Sequence, residues 1–595
     1  MSNLSFPNKN EIRSALAYFS KKEWMIFFVL LAILFISTIA ILESVNKSFM
    51  VSVPARGGTI SEGIIGAPRF VNPVLALSDA DKDLVSLIYS GLMRKNPDGT
   101  LAPDLAEKYD VSPDGLTYTF TLKDKIYFHD SKPVTADDII FTVSEAKDPI
   151  IKSPIKGNWD GINVEKVDDK TIKFTLKQPY ASFLENATLG IMPKSLWSNS
   201  PIELNETNMN PVGSGPYEVS NVSKQSSGII DSYELSYFSK FILSKPYVKN
   251  ITLKFYPNEG DLITALQGGN INQASSITPE NAEKLKNKGY RIESSVLPRV
   301  FGLFFNQNQA QIFTDKHVIE AINQAVDKDR IVREVLSGYG VAIDDPIPPN
   351  MIAYQKLTEE DKSSREENLQ KAQDILTKDG WKKNADGFLE KTAVPKTKAK
   401  TSKTKSKVVA KVVTASKINT IEFTISTGNA PELTKTAELV AEDLRAIGMK
   451  VDVKTFEVGN LNQSVIRPRK YDALLFGQII NHESDLFAFW HSSQRKDPGL
   501  NIAMYTNAKV DKILEDALVT LDENNRVKKY AQFENEIKKD SPAVFIYSPD
   551  FIYAVSKNLN GLAIDHLISP ADRFANSYSW YTEKTNVWKM FSKFN

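Results

Sequence analysis

The sequence predicts a layered α/β protein of two or three domains, preceded by one transmembrane helix. With 595 residues, the chain is longer than a single hydrophobic core usually supports. Segments in which every second residue is apolar alternate with segments of helical periodicity, which is typical of α/β and α+β architectures. Near the N-terminus, residues 24–42 form an apolar run without a charged side chain. These three observations define the predicted fold class.

Composition excludes several classes of protein. Lys plus Arg (73) nearly equals Asp plus Glu (72), so no net charge draws the chain to nucleic acid, and we expect no nucleic-acid partner. The chain has no cysteine, which excludes disulfides, thiol nucleophiles, thiolate metal sites and a lipid-modified cysteine. Any membrane tether must therefore be made of the peptide chain itself.

The apolar run predicts that tether. Trp24 to Leu42 spans nineteen residues, roughly 28 Å as a helix, close to the ~30 Å thickness of the hydrocarbon core. Because Lys9, Arg13, Lys21 and Lys22 precede it, residues 1–23 are expected in the cytoplasm and the remainder outside. Residues 38–40 loosely resemble a signal-peptidase site, so a cleaved signal peptide is the alternative, although the long preceding region favours a retained anchor.

The strands and helices of the first two hundred residues follow from local patterns. Residues 43–56 are expected to form a polar connector, and residues 59–92 a strand, a loop and a helix with Leu84, Ile88 and Leu92 on its apolar face. Two strands are predicted from alternation, one with Leu116, Tyr118, Phe120 and Leu122 inward and one with Ile172, Phe174 and Leu176 inward. Between them, Thr135 and Asp138 predict the capping box of a helix.

Farther along, helices and strands continue to alternate. Two consecutive helices are predicted over residues 315–325 and 327–336, the second closed by Gly338. A further helix ends at Gly448, and the segments MKVDVKTF and YDALLF after it are typical of strands. Residues 391–411 contain eight lysines and no acidic residue, which predicts a solvated insertion. Contact with an anionic cell-wall polymer or with lipid headgroups is the functional alternative for this segment.

The motifs that carry catalysis in other proteins do not occur. The sequence has no Gly-x-Ser-x-Gly elbow, no phosphate loop and no Gly-x-Gly-x-x-Gly motif. Its five histidines, at 129, 317, 482, 491 and 566, do not have the spacing of metal ligands. We therefore expect a protein that is not an enzyme and that needs no cofactor and no metal of its own.

A series of short motifs, in a fixed order along the chain, carries a family resemblance over about five hundred residues. In chain order they are FVNP at 70–73, IYSGL at 88–92, PDLAE at 103–107, SPDGLTY at 112–118, PVGSGPY at 211–217, ALQGGNI at 265–271, PIPP at 346–349 and DSPA at 540–543. In this combination the chain resembles the oligopeptide-, dipeptide- and nickel-binding proteins of ABC importers, family 5 of the extracellular solute-binding proteins.

The resemblance implies a large two-lobed periplasmic-binding-protein fold of class II with three domains. Residues 52–92, 207–303 and 546–590 would make lobe I, residues 93–206 an inserted domain and residues 304–545 lobe II. A ligand that contacts both lobes would shift the population to a closed form that a membrane permease recognises. The implied partners are a peptide or similar small solute and the permease and ATPase subunits of an ABC transporter, with the chain itself a monomer. A membrane-tethered peptide receptor or chaperone without a transporter is the alternative.

The resemblance also directs attention to the cleft. Peptide-binding relatives hold a free amino terminus with an aspartate, but Asn481 stands at the corresponding position here, and Asp485 or Glu483 would have to replace that acid. Trp490 either stacks on the ligand or fills the core of the lobe. Asn306 and Asn501 either bind the ligand or cap local turns. The predicted ligand-binding residues are therefore Asn306, Asn481, Asp485, Trp490 and Asn501.

Gly213 and Gly215 are predicted to mark a turn where the chain crosses between domains. Glycine suits such a place because it adopts backbone angles that are closed to other residues. A structural role is favoured over direct contact with the ligand.

Overall fold

A computed structural model of the chain describes residues 8–349, 351, 364–392 and 418–592. The described residues belong to two compact units. The smaller unit is drawn from Met1–Gly57 and Tyr581–Asn595, and the larger from Gly58–Trp580. Each unit is described in turn.

The smaller unit contains the apolar N-terminal helix and one two-stranded ribbon. Its elements are α1 (Lys9–Ala17), α2 (Lys21–Phe49), β1 (Met50–Ala55) and β23 (Glu583–Trp588), and β1 pairs with β23 in antiparallel register. Ser20 and Glu23 form a capping box at the start of α2. Among the described residues α2 is the one helix long and apolar enough to cross a membrane, and none of its side chains is buried.

The apolar run 24–42 thus lies inside a longer helix. Because α2 continues to Phe49 and β1 follows at once, residues 43–55 are helical and then extended. The predicted polar connector over 43–56 is corrected accordingly. Its polar residues continue the helix beyond the apolar run.

The larger unit is organised by a mixed sheet of twelve strands. Its main path runs β20-β19-β21-β14-β22-β12-β2-β11-β10-β9, with β13 and β15 also paired to β22. These strands are β2 (Gly57–Ile65), β9 (Tyr217–Lys224), β10 (Ile230–Tyr237), β11 (Val248–Tyr256), β12 (Gln273–Ser275), β13 (Arg291–Val296), β14 (Arg299–Phe305), β15 (Gly340–Ala342), β19 (Glu422–Gly428), β20 (Lys450–Phe456), β21 (Ala473–Ile479) and β22 (Ala543–Val555).

Strand β22 connects the two halves of this sheet. Its first part pairs with β14 and β15, and its second part pairs with β12 and β13. The partner exchange occurs near Pro549, whose carbonyl accepts a hydrogen bond from the backbone N–H of Leu297 at 3.0 Å. A single strand therefore runs through both halves of the sheet.

Smaller sheets flank the main one. A four-stranded sheet has the order β5-β6-β8-β7, β3 pairs with β4, and β16, β17 and β18 form a three-stranded sheet. The predicted alternation is confirmed, since Tyr118, Phe120 and Leu122 are buried on β6, and Ile172, Phe174 and Leu176 on β8. The strands are β3 (Met93–Lys95), β4 (Leu101–Pro103), β5 (Ala106–Val111), β6 (Thr117–Leu122), β7 (Ile162–Lys166), β8 (Thr171–Leu176), β16 (Lys382–Lys383), β17 (Leu389–Thr392) and β18 (Ile418–Thr420).

The α-helices of the larger unit include those that the sequence periodicity predicts over residues 315–325 and 327–336 and before Gly448. They are α3 (Asp79–Ile88), α4 (Ala136–Lys147), α5 (Lys156–Trp159), α6 (Phe183–Asn186), α7 (Lys194–Trp197), α8 (Glu259–Gln267), α9 (Pro279–Asn287), α10 (Lys316–Ala325), α11 (Lys328–Leu336), α12 (Arg365–Lys378), α13 (Pro431–Ala446), α14 (Val458–Asn460), α15 (Asp485–Trp490), α16 (Ala508–Val519) and α17 (Glu523–Asp540).

Several helix ends confirm the predicted caps. Asp138 forms the capping box with Thr135, and Ser337 in left-handed conformation ends α11 just before Gly338. The first predicted helix is shorter than expected. Because Tyr89 is already extended, α3 ends at Ile88, and Leu92 is buried beyond the helix instead of on its face.

A buried ion cluster ties α3 to the end of the larger unit. The guanidinium of Arg573, 0% exposed, donates to the carboxylates of Glu62 and Asp83 at 2.6–2.9 Å and to the carbonyl of Pro570 at 2.7 Å. Tyr553 donates its hydroxyl to the other oxygen of Glu62 at 2.7 Å. Burial alone would lower the pKa of Arg573, but the two carboxylates outweigh it and raise the pKa, so the guanidinium stays charged.

The hydrophobic cores separate along the chain. One core is drawn from residues 60–297 together with 551–580, and two others from residues 300–547. A fourth, smaller core packs α8 and α9 against β22. The domain boundaries implied by the resemblance stay predictions, and we use the names lobe I, inserted domain and lobe II for the ranges given above.

The predicted lysine-rich insertion at 391–411 lies almost wholly outside the described residues. Its first two residues belong to β17, and Lys391 pairs there with Asp379 at 2.5 Å.

Candidate functional site

A cavity of about 550 Å³ is lined by residues of lobe I, the inserted domain and lobe II. This volume lies within the range of small-molecule sites. Four carboxylates and two permanent cations face it, together with two histidines. These residues are Asp98, Glu185, Glu483 and Glu523, then Lys95 and Arg526, and finally His482 and His566.

The loop between β21 and α15 forms one wall of the cavity. Asp485 begins α15, and its Oδ2 accepts the backbone N–H groups of Asn481 at 2.8 Å and His482 at 3.1 Å. Burial raises the pKa of Asp485, while these two N–H groups oppose the shift. Asp485 therefore fixes the backbone of the loop, and Asn481 and His482 line the cavity.

Glu483 is the carboxylate with a free acceptor. Its Oε2 pairs with Nε of Arg526 at 2.8 Å, and both side chains are about seven-eighths buried, at 13% and 14% exposure. Its Oε1 is buried and has no hydrogen-bond partner among the described residues. Since buried polar atoms are nearly always paired, this oxygen is suited to a donor brought by a ligand.

Three contacts join the inserted domain to lobe II beside the cavity. His482 Nδ1 contacts the carboxylate of Glu185. The Tyr180 hydroxyl lies 3.3 Å from Oγ of Ser484, and the N–H of Ala181 donates to the carbonyl of Leu518 at 3.1 Å. The structure therefore has the two sides of the cavity in direct contact, as a closed cleft would.

Lys95 and His566 also line the cavity. Burial lowers the pKa of Lys95, at the end of β3, although Asp572 opposes the shift. Burial also lowers the pKa of His566, and the neighbouring charge of Lys95 adds to the effect. The inserted domain and lobe II thus each contribute two carboxylates and one cation to the cavity, and the cation of the inserted domain is partly desolvated.

The other predicted ligand-binding residues pack or form hydrogen bonds within lobe II. Trp490 is 0% exposed and packs against Phe304, Tyr505, Phe533 and Phe545. This placement favours the packing alternative over stacking on a ligand.

The two asparagines make local hydrogen bonds. Asn306, 1% exposed, donates its amide to the carbonyl of Arg469 at 2.9 Å. Asn501, 0% exposed, donates to Trp490, His491 and Tyr505 carbonyls at 3.1–3.3 Å. Both arrangements favour the turn-capping alternative.

Gly213 and Gly215 lie where the chain returns from the inserted domain. Neither has a positive φ, so the predicted need for special backbone angles is corrected. A Cβ at Gly213 would lie 2.0 Å from the carbonyl oxygen of Ile88, and one at Gly215 would lie 2.6 Å from the Ile88 carbonyl carbon. Close approach to the outgoing chain is what requires glycine here.

His129 bridges these two glycines. Its Nδ1 accepts the N–H of Gly213 at 3.3 Å, and Nε2 donates to the carbonyl of Gly215 at 3.1 Å. Burial lowers the pKa of His129 to about 4, although the Gly215 carbonyl opposes the shift. The neutral ring therefore holds the crossing segment together.

One cluster outside the cavity has metal-ligand chemistry. Asp315, His317 and Asp379 each offer an atom within 4.8 Å of the others. The ammonium of Lys391 lies 3.6 Å from Asp315 and 2.5 Å from Asp379. A lysine therefore already supplies positive charge to both carboxylates.

Comparisons with known proteins agree with this geometry. The profile of the bacterial extracellular solute-binding proteins, family 5, matches residues 100–498. The oligopeptide-binding protein AppA of Bacillus subtilis is 29% identical, over 93% of this chain and 97% of its own.

Solved structures extend the similarity to the fold. AppA with a bound nonapeptide has a TM-score of 0.65 at 28% identity, over 89% of this chain and 99% of its own. NikZ of Campylobacter jejuni, in complex with Ni(L-His), has a TM-score of 0.67 at 27% identity, over 88% of this chain and 99% of its own. Because the profile covers most of the chain, and the fold is the two-lobed one of these binding proteins, the protein belongs to family 5 of the bacterial extracellular solute-binding proteins.

Proposed function

We propose that this solute-binding protein is a non-enzymatic, membrane-anchored receptor that captures peptides in the cavity between lobe I, the inserted domain and lobe II. It then delivers them to the permease of an ABC transporter. The observation that carries the proposal is the closed, charged cavity that residues of all three regions line.

The chemistry of the cavity favours a ligand with a free ammonium group. Its carboxylates outnumber its permanent cations, and Oε1 of Glu483 lacks a donor among the described residues. An ammonium placed there would gain charge-assisted hydrogen bonds, while Lys95, elsewhere in the lining, would attract a carboxylate. A peptide with free ends carries both groups.

In this arrangement Glu483 takes the role that an aspartate has in peptide-binding relatives. Asn481 lines the cavity beside it and would bind the peptide backbone through its amide. Asp485 acts through the loop, because its carboxylate holds the N–H groups of Asn481 and His482.

The membrane anchor is α2. Its apolar run is long enough to span the hydrocarbon core, and the basic residues before it favour a cytoplasmic N-terminus. The helix continues beyond residue 40, the end of the candidate cleavage site, without a break to Phe49. This continuity supports a retained anchor.

Peptide binding is tested on the full chain in nanodiscs by the shift of its unfolding midpoint. The probe is Ala-Ala-Ala at saturating concentration, compared with N-acetylated Ala-Ala-Ala. We expect the free peptide to raise the midpoint by mass action and the acetylated one to raise it much less.

These measurements test the ammonium site and the peptide class of ligand separately. Equal shifts with both would contradict the ammonium site. The absence of a shift with tri- to pentapeptides of varied sequence would contradict the peptide class.

Delivery to a transporter is tested by co-purification. The tagged full chain, extracted from its own membrane in mild detergent with bound peptide, is expected to carry two permease and two ATPase subunits. Recovery of the chain without them would instead favour a receptor that is not coupled to transport.

A further inference from the structure

The last described strand of the chain returns to the extracytoplasmic end of the membrane helix. In the ribbon of β1 and β23, Trp588 lies opposite Met50, the residue that follows α2. The far end of the ribbon pairs Ala55 with Glu583. Residues 588–591 are therefore held beside the end of α2.

Specific contacts fix this arrangement. The indole Nε1 of Trp588 donates to Oδ1 of Asn46 at 2.8 Å. The Trp588 ring stacks on Phe49 with centroids 6.4 Å apart and planes 27° apart. The polar atom of the indole is thus satisfied by the helix, and the apolar ring remains available.

The apolar side chains around this contact are exposed. Trp588 is 46% exposed, Met590 66%, Phe591 55% and Phe49 58%. Together with Ile39, Leu42 and Val45, Phe49 and Trp588 also line a groove of about 630 Å³ on the same unit. Exposed apolar surface of this kind, beside a membrane helix, is typical of a surface that contacts lipid.

The position of Phe49 along α2 also indicates contact with lipid. Phe49 lies seven residues beyond Leu42, the end of the apolar run, which is about 10 Å along a helix and so at the level of the lipid headgroups. Tryptophan is enriched at that level because its ring is apolar and its N–H is polar. Lys589 suits anionic headgroups, whereas Lys47 already pairs with Glu43 at 2.7 Å.

We propose that residues 588–591 form a second membrane contact, in which Trp588, Met590 and Phe591 insert into the headgroup layer of a phospholipid bilayer beside α2. The proposal rests on the retained anchor proposed above. In it the chain touches the bilayer at both ends of its folded part, which restricts how the ribbon rotates about α2.

The absence of cysteine makes the test direct, since a single introduced cysteine can be spin-labelled without background. The full chain is placed in nanodiscs of phosphatidylcholine and phosphatidylglycerol with no other protein. Labels are introduced separately as Met590→Cys, as Leu30→Cys within α2, and as Lys584→Cys. Lys584 is a matched control on the same strand, about 14 Å from Trp588 at 3.4 Å per residue.

Collision with oxygen, which concentrates in lipid, and with a water-soluble nickel chelate then reports depth. We expect the label at 590 to collide severalfold more with oxygen than with the chelate, like the label at 30, and the label at 584 to show the reverse. Broadened spectra at 590 from a neighbouring label would indicate a second copy of the chain in this place and would overturn the proposal.

The remaining outcomes separate the two proposals. If the label at 590 behaves like that at 584 while the label at 30 is in lipid, the second contact is wrong and the anchor stands. If the label at 30 also meets the chelate freely, the anchor itself is wrong.

Discussion

Two clusters of charged residues in the larger unit differ in whether all of their polar atoms have hydrogen-bond partners within the protein. Around Arg573, every N–H of the guanidinium has an acceptor within the protein, and the side chain is fully buried. Around Glu483, one carboxylate oxygen pairs with Arg526 and the other has no partner among the described residues. A completed cluster joins segments of the fold, whereas an incomplete one that faces a cavity is suited to complete itself with a ligand.

The largest expected effect is the loss of stability when the cluster around Arg573 is broken. Arg573→Met leaves the buried carboxylates of Glu62 and Asp83 without a counter-charge, so we expect the free energy of unfolding to fall by about 3–5 kcal/mol. Denaturant titration of the full chain measures it. Arg526→Met is the matched control, expected to cost less, about 1–2 kcal/mol, because the freed Glu483 carboxylate borders the cavity and can be hydrated there. Equal losses would remove the distinction between the clusters.

The second prediction concerns pH and the crossing segment at His129. Since its pKa is about 4 in the folded protein and about 6.5 in an unfolded chain, the unfolded state binds more protons between these values. Stability is therefore expected to fall as the pH falls from 6.5 to 4, by up to roughly 3 kcal/mol.

His129→Gln removes the contribution of His129 to the pH dependence of stability, because glutamine does not titrate. The difference in unfolding free energy between wild type and variant is expected to shrink steadily as the pH falls from 6.5 to 4. A constant difference over this range would show that the pKa of His129 is not lowered in the folded protein.

The third prediction concerns the incomplete cluster. Glu483→Gln removes the charge that faces the proposed ammonium, so we expect Ala-Ala-Ala to bind about 30-fold more weakly, corresponding to about 2 kcal/mol. Calorimetric titration measures the change. Glu523→Gln, which removes an exposed carboxylate from the same cavity, should change affinity by less than about threefold. Equal effects would indicate a diffuse electrostatic field instead of a specific contact.

The smallest expected effect is on cleft closure. Glu185→Gln weakens the contact with His482 across the cavity, so the closed form should lose about 0.5–1 kcal/mol. Peptide affinity should then fall two- to fivefold, and the radius of gyration without ligand, measured by X-ray scattering, should increase. Glu165→Gln, on the exposed face of the four-stranded sheet, is the control and should leave both quantities unchanged.

Local patterns predicted much of the fold because their causes are local. The alternation on β6 and β8, and the capping box of Thr135 and Asp138, depend on residues within one turn or one strand. The end of α3 was misplaced because Leu92 continues the apolar spacing although the chain has already turned away. The spacing of apolar residues in the sequence does not reveal that turn.

The site was less accessible to sequence reasoning because its parts come from distant segments. Glu185, Lys95 and Arg526 lie far apart in the chain and carry no local motif, and Arg526 lies in the polar first turn of α17. The loop at 481–485 was recognised through the resemblance, yet the different roles of Glu483 and Asp485 depend on which oxygen already has a partner. Which oxygen has a partner can be seen only in the three-dimensional structure.

The path of β22 limits how the cleft can open. Any rotation of one half of the sheet against the other twists a strand that both halves hold by hydrogen bonds, so the change in dihedral angles must concentrate in a few peptide units near Pro549. Proline has no N–H to lose there, and its fixed φ narrows the directions of bending. We therefore expect rotation between the two halves of the sheet to follow the few directions that Pro549 leaves open.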